Sequence, residues 1–101
     1  MKIKKKTLSF DLESTEGVAG YNVYYDKVEA NYDSAKVKFT NIIPDQLTYS
    51  VVFPDQVPIT EGQYQIGVST FDAEGNESDI IIINYFFDFT APRAPKNLRI
   101  S

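Results

Sequence analysis

The chain has no cysteine, no histidine and no tryptophan in its 101 residues. Without cysteine there can be neither a disulfide framework nor a thiol nucleophile. Without histidine the chain lacks both the commonest general base and the commonest metal ligand. The two absences argue against an enzyme, so no residue is given a catalytic role and no cofactor is expected. Long hydrophobic runs are also missing. No stretch approaches the roughly 18 apolar residues of a membrane helix, which speaks against membrane insertion. The lysine-rich start resembles the charged opening of a signal peptide, but Thr7 to Glu13 has two acids and no continuous apolar stretch, so no signal peptide is read there.

An apolar fraction of 43% over this length suits one domain with one core. The charge is segregated. All 14 acidic residues lie between Asp11 and Asp88, where three lysines oppose them and leave a net charge of −11. Seven basic residues flank this stretch: Lys2, Lys4, Lys5, Lys6, Arg93, Lys96 and Arg99. An acidic body repels phosphates, so nucleic acid is not an expected partner. The lysine cluster is read as protection of a strand edge.

Two-residue alternation dominates the chain, and helical periodicity is hard to find. Leu8, Phe10 and Leu12 alternate with polar residues, as do Tyr21, Val23 and Tyr25. Further strands are predicted over 35–43, 48–53, 64–70 and 80–87. The segment around Ile3 and residues 97–100 are weaker candidates for a seventh. Segments 13–20 and 72–79 carry turn residues, with Gly75-Asn76 offering positive-φ positions. Short strands separated by turns at roughly ten-residue spacing predict an all-β, two-sheet antiparallel β-sandwich of about seven strands. Phe10, Tyr21, Val23, Ile66 and Val68 form its expected core. The domain is expected to occupy residues 1–90. Residues 91–101, with Pro92 and Pro95, read as a linker or the start of a following module.

Several short motifs carry a family resemblance. Thr7-Leu8-Ser9-Phe10 resembles strand B of a bacterial fibronectin type III domain, with Phe10 where a core tryptophan is usual. Val18-Ala19-Gly20-Tyr21-Asn22-Val23-Tyr24-Tyr25 resembles the entry to strand C. Glu61-Gly62-Gln63-Tyr64 is similar to the entry to strand F, with Tyr64 in the place of the tyrosine-corner residue. Phe71-Asp72-Ala73-Glu74-Gly75-Asn76-Glu77-Ser78 is similar to the F–G loop, and residues 90–98 resemble the connection into a following domain. The Gly75-Asn76-Glu77-Ser78 loop is shared with bacterial immunoglobulin-like modules. The resemblance implies a non-catalytic interaction or spacer module of a larger bacterial protein, outside the cell or at its surface. Its implied partners are neighbouring domains or another protein.

Three constellations are weighed for function. Glu13, Glu16, Asp72, Glu74, Glu77 and Asp79 would share one pole of a sandwich, where hard oxygen ligands suit calcium; ordinary turn chemistry explains them more simply, and no metal site is assigned. Tyr24, Tyr32 and Tyr49 are candidates for a solvent-facing row, which a carbohydrate-binding accessory domain would need. The most unusual segment is 80–87, apolar on both faces. Ile80, Ile82, Asn84 and Phe86 form one row, and Ile81, Ile83, Tyr85 and Phe87 the other. Only one row can enter a core. The other is covered by the chain's own ends or marks an interface, through which a self-assembling subunit could pair. Ile81, Ile83, Tyr85 and Phe87, together with Tyr24, Tyr32 and Tyr49, are the candidate interface residues.

Overall fold

The computed structural model describes residues 4–90 and 94–100. Alternation resolves into six strands, with no helix among the described residues. These are β1 (Lys6–Asp11), β2 (Gly20–Asp26), β3 (Ala35–Phe39), β4 (Thr48–Phe53), β5 (Gly62–Phe71) and β6 (Ile81–Phe87). They form two antiparallel sheets, one of two strands in the order β1-β4 and one of four in the order β3-β2-β5-β6. The sheets face each other in a sandwich-like arrangement.

The core lies where the two inner faces meet. Tyr21, Val23 and Ile66 from the larger sheet pack with Tyr49, Val51 and Phe53 from β4. Side chains on one face recur every second residue, so the buried rows follow directly from the alternation. Phe10 meets Tyr21 edge-on at 4.9 Å, and Tyr21 stacks on Phe39 at 5.0 Å. The expected core is therefore present, but Phe10 and Val68 are only partly buried. Val57 and Ile59, on the crossover between β4 and β5, close one end of the core. Phe87, in the same core, is at the centre of an aromatic cluster with Phe53, Tyr64, Tyr85 and Phe89.

Two strand expectations change. The third strand stops at Phe39 and does not run to residue 43. There the Tyr49 hydroxyl accepts from the Ile43 N–H at 3.0 Å and donates to the Ile43 carbonyl at 3.2 Å. That pair of bonds holds the segment in a loop. Residues 97–100 form no strand, because no strand among the described residues pairs with them. The candidate strand around Ile3, and the residues Ala91, Pro92 and Arg93 of the expected linker, lie outside the described residues.

Tyr64 closes the entry to β5. Its ring is buried, and its hydroxyl lies 2.8 Å from the Thr60 hydroxyl while accepting a longer bond from the Thr60 N–H at 3.4 Å. In the 72–79 turn, Gly75 adopts φ 89°. Left-handed backbone of this kind costs glycine little and other residues more.

Candidate functional site

The register identifies which row of β6 faces the interior. Val68 pairs with Ile81, Ile66 with Ile83, Tyr64 with Tyr85 and Gly62 with Phe87. Directly paired residues point to the same side of a sheet. Ile81, Ile83, Tyr85 and Phe87 therefore share the core-facing side with Ile66 and Tyr64. Phe87 is buried, yet Ile81, Ile83 and Tyr85 remain 73%, 46% and 40% exposed. The cause is a mismatch in sheet width. The two-stranded sheet spans too little of the four-stranded one to cover β6.

The uncovered strip is a cleft between β1 and β6. Its wider part, about 460 Å³, lies between Leu8, Phe10 and Leu12 on one side and Ile81 and Ile83 on the other, with Asp11 and Asp79 at the margin. A narrower part of about 160 Å³ continues past Leu8 and Ile83 to Tyr85 and Phe87. Beyond it the cleft is closed by a bond from the Lys4 N–H to the Phe89 carbonyl at 2.9 Å. The walls are mainly apolar, with the carboxylates of Asp11 and Asp79 among the lining residues. They offer apolar area and a strand edge.

That edge belongs to β1. The Leu12 N–H bonds to the Leu47 carbonyl at 2.8 Å, and pairs in an antiparallel ladder alternate between bonded and non-bonded. Leu8, Phe10 and Leu12 thus direct their backbone groups at β4, and Thr7, Ser9 and Asp11 direct theirs outward along the cleft. The opposite row of β6 is also incompletely covered, with Ile82 and Phe86 exposed.

The tyrosines do not form the expected solvent-facing row. Tyr24 and Tyr49 are buried, and only Tyr32 is substantially exposed. Tyr49 belongs to the core, whereas Tyr24 lies on the outer side of the larger sheet beneath two loops. Tyr32 packs edge-on against Tyr24 at 6.1 Å, and its hydroxyl donates to the Ser78 carbonyl at 2.8 Å. Gly67, paired with Tyr24, is needed beneath this cover, since a Cβ there would collide with the Ile80 side chain.

Glu77 pins the second loop to that outer face. One carboxylate oxygen accepts bonds from Ser69 Oγ at 2.5 Å, from Asn22 Nδ2 at 3.2 Å and from the Tyr24 hydroxyl. Burial works to raise the Glu77 pKa, but the bonds from Ser69, Tyr24 and Asn22, with help from Lys36, hold it below the ordinary carboxylate value. Burial, followed by the bond to Glu77, pushes the Tyr24 pKa up to about 12. Sequence reasoning missed this cluster. Its signal is the pairing of Asn22 with Ser69, which appears only once the register is known.

The acidic loops do not gather around a metal position. Asp72 accepts from the Glu74 and Asn76 backbone N–H groups and from the Asn76 side chain, each at 2.9 Å. Glu77 is turned onto the sheet. Among the described residues no group of three or more acids could hold a metal ion. No protein-family model, curated protein or solved structure matches the chain.

Proposed function

We propose that this chain is a non-catalytic protein-contact module of the fibronectin type III or immunoglobulin-like kind, and that the β1–β6 cleft is its docking surface. The observation that carries the reading is the exposure of Ile81, Ile83 and Tyr85 on the core-facing side of β6. A contiguous exposed apolar strip marks an interaction site more often than does a scatter of single residues. The adjoining free edge of β1 suits an extended segment, which can add backbone bonds to apolar contacts. The placement of Tyr64 supports the family resemblance, as does the absence of histidine and cysteine the non-catalytic role.

The test is the double substitution Ile81→Lys/Ile83→Lys. On a docking surface both lysines reach water, and the unfolding free energy changes by less than about 1 kcal/mol. Extended peptides selected from a display library on the wild-type protein carry apolar residues at alternate positions and lose binding to the variant. A loss of more than about 3 kcal/mol would mean that the row belongs to a closed core, and the reading would fall.

A further inference from the structure

We propose that the β1–β6 cleft is filled by residues 94–100 of a second copy of this chain, added as a strand antiparallel to β1. The inference rests on the reading of the cleft as a docking surface and names its occupant. In residues 94–100 Leu98 and Ile100 alternate with Asn97 and Arg99, and both apolar side chains are almost completely exposed. Among the described residues the chain thus displays an apolar strand edge and an alternating segment of similar length, neither of them paired.

The register follows from the facing of β1. Leu8 and Phe10 look into the cleft, so Leu98 falls opposite Phe10 and Ile100 opposite Leu8. The two side chains then enter between β1 and the row of Ile81 and Ile83. Arg99 falls opposite Ser9 and Asn97 opposite Asp11, where β1 directs its free backbone groups outward. Both tail residues have the N–H that such pairing needs, and Pro95 lies beyond the paired stretch. Asn97 has φ 57° in the unpaired tail and becomes extended on docking; asparagine tolerates both conformations.

Charge selects the direction. Run antiparallel, the strand brings Lys96 to the open end of the cleft near Asp79 and places Arg99 diagonal to Asp11. Run parallel, it would bring Lys96 beside Lys6 and set like charges together.

Chain reach makes the partner a different molecule. Phe89 is buried, and Thr90 is tied by its N–H to Asp88 at 3.0 Å and by its hydroxyl to Glu61 at 2.5 Å. Both residues lie at the closed, Lys6 end of the cleft. From Thr90 to Ala94 the chain spans at most about 14 Å. An antiparallel insertion needs Ala94 beyond the Leu12 end, about 20 Å along β1 from Lys6. The chain's own tail can therefore enter only in the disfavoured parallel direction. A second copy can enter from the open end, and this contact is head-to-tail.

Because the protein has no cysteine, engineered thiols report the contact without background. Ser9→Cys and Arg99→Cys chains are mixed and oxidised; paired residues at this position would bring their Cα atoms to about 5.5 Å, within disulfide range. The expected product is a disulfide between the two different variants, at least about tenfold above either homodimer. Leu98→Asp/Ile100→Asp in the Arg99→Cys chain lowers it about tenfold. The weight-average mass of the wild-type protein rises with concentration in sedimentation equilibrium, and that of the Leu98→Asp/Ile100→Asp variant does not. An intrachain disulfide in Ser9→Cys/Arg99→Cys would overturn the proposal by showing that the chain covers its own cleft. Absence of cross-linking and of self-association, with Ile81→Lys/Ile83→Lys stably folded, would overturn the second copy and leave docking of a different protein standing. Unfolding of Ile81→Lys/Ile83→Lys would remove both readings.

Discussion

Replacing Glu77 with glutamine tests whether the outer-face polar cluster fastens the 72–80 loop to the sheet. One carboxylate oxygen holds Ser69, Asn22 and Tyr24. Bonds to a charged acceptor are roughly twice as strong as neutral ones, a difference of about 1 kcal/mol each. A glutamine oxygen keeps neutral versions of these bonds, so the expected loss is about 2–3 kcal/mol at neutral pH. For a domain of this size that lowers Tm by about 10–20 °C. Urea unfolding followed by tyrosine fluorescence measures the loss. The pH dependence has a definite sign. The folded Glu77 pKa is depressed, so its contribution is present above the ordinary carboxylate pKa and disappears as pH falls through the folded value. Wild type and Glu77→Gln should therefore converge in acid. Glu74→Gln, on the exposed part of the same loop, should stay within about 0.5 kcal/mol of wild type throughout. A Glu77→Gln loss no larger than that of Glu74→Gln, or a gap that persists unchanged into acid, would refute the reasoning.

Tyr24 gives the alkaline counterpart: its folded pKa is raised to about 12, so its stabilisation is complete below the ordinary tyrosine value and is lost as pH rises through the folded one. Tyr24→Phe should flatten that part of the stability profile. Phe87→Ala removes the centre of the aromatic cluster and should cost about 3–5 kcal/mol in chemical unfolding, whereas Phe10→Ala, beside the open cleft, should cost less, about 1–3 kcal/mol. Tyr64→Phe deletes the hydroxyl that meets Thr60 and should cost about 1 kcal/mol, read as a shift in the urea midpoint with an unchanged slope.

Much of the sheet structure was legible because alternation is a local signal. Leu8 with Phe10, Tyr21 with Val23, and Tyr64 with Ile66 show their inner faces without any partner being known. The widths of the two sheets were not legible, since they depend on which strands pair across the chain. For that reason the apolar doubling of 80–87 could be seen, but not that its inward row is the one on the cleft. Tyr24 shows a second limit. It falls on the outer row of β2, and only the loops carrying Tyr32 and Glu77 make that row buried. Loop cover depends on tertiary packing and leaves no period in the sequence.

Amide hydrogen exchange along β1, followed by NMR on dilute protein, tests the open cleft most directly. An uncovered edge predicts alternation: slow exchange at Leu8 and Phe10, which face β4, and fast exchange at Thr7, Ser9 and Asp11. Raising the protein concentration should then slow Ser9 and Asp11 as the cleft fills. Uniform protection across all five residues at the lowest concentration would contradict the account, because β1 would already have a neighbour within its own chain.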